Sequence, residues 1–186
     1  MKNRHQLCGL LNRTTLFCKG NPLKADALAL IKKFLSYATP QEHLKAIDDF
    51  FIAALKDGYH WQHGSAANAL FYSEQLELLL EVAYLIYIKS KKYPLKKRVV
   101  ANLPVKELPV LLSAKEYQNP LLVIQQFFAP HSLLHWKQLL YTCTHEVLSN
   151  CSVADEVDAA EVLGWCNELK RLVGAVNSIA TTEDRY

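Results

Sequence analysis

The sequence predicts an all-α fold, a helical bundle of about six main helices. Three observations carry this. Only six of 186 residues are glycine, β-branched residues are few, and Leu, Ala, Lys and Glu are common, which favours helix over sheet. Apolar residues recur at helical spacing through stretches free of Gly and Pro, among them 66–89. The chain also matches itself, without gaps, at an offset of 93 residues. Ile31 then meets Ile124, Phe34 meets Phe127 and Leu55 meets Leu148. Leu76, Leu79 and Ile86 meet Leu169, Leu172 and Ile179. One offset spanning three successive helices and their loops predicts two pseudo-repeated three-helix units, 22–90 and 115–180. A basic, proline-rich connector, 91–114, would join them within a single helical domain, 1–186.

The elements follow in order. Residues 1–21 carry Leu7, Leu10, Leu11, Leu16 and Phe17, enough for a short helix or an arm docked on the core. Asn21-Pro22 is a start signal for a helix reaching about Tyr37, with Leu23, Ala27, Leu30, Ile31 and Phe34 on one face. Thr39-Pro40 begins the next, and Glu42 suits the positive end of its dipole. Leu44, Ile47, Phe51, Ala54 and Leu55 form its buried stripe, and Asp57-Gly58 ends it.

Ser65 caps the long central helix. Ala69, Tyr72, Leu76, Leu79, Ala83 and Ile86 form its stripe, widened by Leu80, Tyr84 and Tyr87. At about 24 residues it is roughly 36 Å long. Glu74, Glu77 and Glu81 argue against a membrane span. They read as a solvated face, or as an acidic docking surface for the basic connector.

Pro94, Pro104 and Pro109 forbid a continuous helix after residue 90. The segment is too rich in Leu and Val for a flexible linker. It is expected to wrap over the bundle, with a short helix near 105–113. Asn119-Pro120 starts the second unit, with Leu121, Ile124, Phe127 and Phe128 facing inward, and Pro130 stops that helix. Ser132 caps a helix over 133–149. Asp155 or Asp158 caps the last one, which reaches Ile179, and the tail from Thr181 is expected to fray.

Composition is that of a soluble globular protein, 51% hydrophobic and 21% charged. Asn12 and Arg13 interrupt the apolar N-terminal stretch, so it does not read as a signal peptide, and the expected location is cytoplasmic. Five irregularly spaced cysteines do not suggest a disulfide scaffold.

No catalytic constellation emerges. There is no Gly-x-Ser-x-Gly elbow and no phosphate-cradling glycine loop. No arginine has a histidine four to six residues downstream, the pair that small helical ribonucleases use. His60 and His63 make only two ligands, and Cys143 and His145 point to different sides of a helix, so neither they nor His131 and His135 predict a metal site. No cofactor is expected.

The strongest charge feature is the run Lys89, Lys91, Lys92, Tyr93, Lys96, Lys97 and Arg98. Its cations would attract phosphate and its tyrosine could stack on a base. The whole chain carries a net charge of only +3. The sequence therefore favours a non-enzymatic protein-interaction or regulatory module, with a protein partner or self-association through the basic connector and the acidic second unit. Nucleic-acid binding through Lys89–Arg98 is the alternative. A helical enzyme or small-molecule binder with a pocket between the two units comes third.

Overall fold

The computed structural model describes residues 11–17, 23, 25–61, 65–92 and 111–183, and no strand occurs among them. Eight α-helices follow one another among the described residues: α1 (Asn12–Phe17), α2 (Ala27–Leu35), α3 (Pro40–Ala54), α4 (Ala66–Lys92), α5 (Ala114–Gln118), α6 (Leu121–Phe127), α7 (Leu133–Ser149) and α8 (Ala159–Glu183). The all-α expectation holds.

Most boundaries follow from local chemistry. Thr39 and Glu42 make a reciprocal capping box at the start of α3, with Pro40 in the first turn. Ser65 Oγ accepts from Ala67 N at 3.3 Å, and Ser132 Oγ accepts from His135 N at 3.2 Å. Asp158 rather than Asp155 caps α8, accepting from Ala160 N at 3.0 Å.

Four boundaries differ from expectation. Helix α2 starts at Ala27, not at Pro22, because Asp26 accepts from the amides of Leu28 and Ala29. Helix α4 runs three residues past Lys89, and α8 continues through Thr181 to Glu183. A short helix stands at 114–118, opened by a second capping box between Ser113 and Glu116. The connector helix expected near 105–113 falls largely on 93–110, which lies outside the described residues.

The two long helices organise the packing. Helix α4 lies most extensively on α7, and α8 lies most extensively on α3. Helices α2 and α6 flank them, α2 chiefly on α4 and α6 on both α4 and α8. One apolar core results, in which Phe34, Ile47, Leu76 and Leu79 join Ile124, Phe127, Val162 and Leu172. The loops after α3 and α7 meet: Gly58 N donates to Asn150 O at 3.2 Å, and Ser152 Oγ donates to Leu55 O at 2.9 Å. Gly58 and Asn150 both have φ of 59°, which glycine and asparagine tolerate better than other residues.

Candidate functional site

Glu74, Glu77 and Glu81 recur every three or four residues along α4, so they share one face. They are not a solvated face. Glu81 is fully buried, and its carboxylate accepts from Arg13 N at 3.1 Å and Thr14 N at 2.6 Å. These are first-turn amides of α1, which have no partner within their own helix. A carboxylate there satisfies two donors and suits the dipole. Leu11, immediately before α1, is completely buried, so the described part of the N-terminal stretch is a short helix docked on the core.

Two cations complete the cluster, and neither comes from the connector. Arg13 reaches back to Glu77 through Nε at 2.7 Å and to Glu74 through Nη2 at 2.9 Å. Lys137, on α7, pairs with Glu77 at 2.9 Å and with Glu81. Burial alone would raise the Glu77 pKa. Hydrogen bonds from Arg13 and Lys137, with their charge, outweigh it and hold the carboxyl below its ordinary value.

Beside this cluster a groove of about 280 Å³ runs between the first half of α4 and α7. Its lining comprises Glu74, Glu77, Arg13 and Lys137 together with Leu70, Ser73, Leu140, Tyr141, Thr144, His145 and Leu148. Leu70 and Leu148 are each 46% exposed and Tyr141 is 73% exposed. Leu134 and Phe71 are also exposed on the same two helices, Phe71 packing edge-on against Tyr37. Leu134, Tyr141 and Leu148 are seven residues apart, so they line one face of α7.

The groove's polar side chains are not arranged for nucleophilic catalysis. Ser73 and Thr144 donate to their own helix, to the carbonyls of Leu70 and Leu140. His145 Nδ1 lies 2.8 Å from Glu146 Oε1. Cys143 is buried and its thiol pKa is pushed up to about 12 by burial; Cys166 is likewise raised to about 11. No group of three or more metal-ligating side chains occurs among the described residues. His131 stacks on His135 with centroids 4.3 Å apart, and Tyr59 packs edge-on against Trp61. Cys143 faces the core while His145 is exposed. His63 lies outside the described residues.

Of the basic run, Lys89 is turned inward, its Nζ donating to Ala25 O at 2.7 Å. Lys91 and Lys92 close α4, but their side chains, with Tyr93, Lys96, Lys97 and Arg98, lie outside the described residues. No helix among the described residues is long and apolar enough to cross a membrane.

The sequence signal for the cluster was the glutamate spacing itself, a row at helical period along α4. Arg13 and Lys137 are 64 and 56 residues from the carboxylates they meet, a distance that no local pattern bridges. Comparison of the chain with protein-family models, with curated proteins and with solved structures returns no match.

Proposed function

We propose that the protein is a non-enzymatic interaction module whose working surface is the groove between α4 and α7, where an amphipathic helix of a protein partner docks. The supporting observation is the exposed apolar set Leu70, Tyr141 and Leu148 beside a rigidly paired ionic cluster. Apolar side chains around a concavity favour helix-in-groove recognition, and Tyr is enriched among residues that anchor interfaces.

The test uses two synthetic helical peptides of about 16 residues, roughly 24 Å long. Both carry the same leucine face; one has lysine and the other glutamate on its polar face. Binding is followed by fluorescence anisotropy. At least one peptide binds the wild-type chain, and Tyr141→Ser combined with Leu148→Ser removes that binding while leaving the circular dichroism and melting temperature near wild type, since both side chains are exposed. Failure of both peptides to bind, or binding indifferent to the substitutions, overturns the reading.

The finer architecture belongs to the same proposal: two three-helix units related by internal duplication, each presenting its long helix to the second helix of the other. Supporting it, α3 and α7 start 93 residues apart, as do α4 and α8. The stacked pair Phe34–His43 recurs 93 residues on as Phe127–Trp136, both with centroids 4.1 Å apart. Nucleic-acid binding through Lys91, Lys92, Tyr93, Lys96, Lys97 and Arg98 remains an alternative proposal. Its test is loss of binding, and of its salt dependence, when the cations are neutralised.

A further inference from the structure

Helix α1 is six residues long, well short of the length that holds a helix together in water by itself. It is helical because it is docked on α4. Leu11 gives that docking an apolar contact. Thr14 is also fully buried, and its hydroxyl has no hydrogen-bond partner among the described residues. An orphaned hydroxyl opposes burial. The polar hold on α1 falls on three carboxylates of α4, Glu74, Glu77 and Glu81.

Both oxygens of Glu81 are committed to donors. Oε1 accepts from Arg13 N and from Lys137 Nζ, and Oε2 accepts from Thr14 N. Three converging donors suit a carboxylate that only accepts. A proton on either oxygen competes with a donor already in place. The Arg13 guanidinium adds its bonds to Glu77 and Glu74. Burial pushes the Glu77 pKa up, and hydrogen bonds from Arg13 and Lys137 bring it below the ordinary 4.5. The stabilisation this represents is complete above 4.5 and is lost as pH falls through the folded value.

The charged and titratable groups that face α1 are the three glutamates of α4 and Lys137 of α7, with Arg13 on α1 itself. Tyr141 and His145 of α7 share the lining of the adjoining groove. Of all these, only the carboxylates lose charge as pH falls. Among the described side chains, this segment gives the apolar core Leu11, while Phe34, Ile47, Leu76, Leu79, Phe127 and Leu172 come from other helices.

We infer that α1 is an acid-released latch: as the carboxylate row takes up protons, α1 leaves α4 and unwinds while the apolar core stays closed. Release frees Arg13 from Glu74 and Glu77 and opens the buried Glu81 face of α4 to water. The latch needs no occupant in the groove, so it stands or falls apart from the docking reading.

The experiment follows amide exchange by NMR on the full chain between about pH 7 and about pH 3.5, each rate compared with that of an unstructured amide at the same pH. At about pH 7 the Arg13 and Thr14 amides are protected at least about a hundredfold. At about pH 3.5 they exchange within about tenfold of an unstructured chain, while the Leu79 and Ala83 amides of α4 remain protected at least about a hundredfold. Arg13→Gln, read at about pH 7, lowers the protection of the Thr14 amide about two- to fivefold with the fold retained, because the lost ion pairs are partly exposed.

Arg13 and Thr14 amides that are unprotected at about pH 7, or still protected at about pH 3.5, overturn the latch. Protection that matches Leu79 and Ala83 at every pH, or is lost together with theirs, means that α1 opens only with the whole chain, and overturns it as well. Unchanged Thr14 protection in the Arg13→Gln chain overturns the ionic row as what holds the latch shut.

Discussion

Position 81 on α4 and position 174 on α8 are 93 residues apart, each near the middle of a long helix. At the first stands Glu81, buried beneath the backbone of α1. At the second stands Gly174, where an added Cβ would lie 3.4 Å from the Leu112 side chain. One helix is thus covered by a polar cap and the other by apolar packing. The neighbouring positions differ as well. Glu77 holds Arg13 and Lys137, whereas Lys170, its counterpart by offset, crosses to Asp48 on α3. The contrast teaches that a helix face can be covered either way, on different conditions. An apolar cover needs only shape. A buried carboxylate must have every strong partner present, because an unpaired charge away from water is costly. The polar half is therefore sensitive to loss of single groups and to acid.

Removing one partner of the polar cap is the most direct way to break this comparison. Glu81→Ala leaves Lys137 with Glu77 as its remaining partner and two α1 amides without an acceptor. It is expected to destabilise by about 3–5 kcal/mol, read from the midpoint of a urea transition. Glu81→Leu with Lys137→Met removes both charges and is expected to recover part of that loss, since apolar groups of similar volume can replace a buried ion pair. A double variant no more stable than Glu81→Ala would mean that Glu81 matters as a cap on α1 rather than as a partner for Lys137.

The stacked aromatic pairs sharpen the comparison through pH. His43 is 1% exposed, lies against Phe34, and sits with Nδ1 3.3 Å from Tyr72 Oη. Burial lowers its pKa, opposed in part by the Phe34 carbonyl and Glu42. The unfolded chain then takes up the proton first. Stability is complete above the ordinary imidazole value of 6.5 and is lost as pH falls below it toward the folded pKa. Trp136, in the matching stack on Phe127, does not titrate. His43→Phe is expected to flatten the stability profile just below pH 6.5, while Trp136→Phe leaves the slope in place. Glu77 acts at lower pH. Its folded pKa lies below the ordinary 4.5, so its contribution is present above that value and is lost as pH falls through the folded pKa. Thermal melts across this range distinguish the two steps.

The smallest expected effect concerns glycines on α8. Gly164 has nothing within 4 Å of an added Cβ, whereas Gly174 meets Leu112. Gly164→Ala is expected to stabilise by up to about 1 kcal/mol through helix propensity. Gly174→Ala gains less, because Leu112 must accommodate the new methyl. Equal gains at the two positions would show that the Leu112 cover is loose.

What the chain determined by itself was its helices and most of their ends. Thr39 with Glu42, Ser65, Ser132 and Asp158 each satisfy amides within three residues of themselves. Apolar spacing within one helix selects the face that is buried. Both signals are local, so they survive without knowledge of the fold. The Ser113–Glu116 capping box was legible in the same way, as a serine followed three residues later by a glutamate. Three prolines nearby obscured it. Tertiary structure decided the fate of Glu74, Glu77 and Glu81. A row of glutamates at helical spacing is written identically whether it faces water or a docked arm. Only packing brought Arg13, Thr14 and Lys137 to it, and with them the groove beside Tyr141. The physical reason is range: capping and periodicity act over one or two turns, while the partner of a buried charge is chosen by the whole fold.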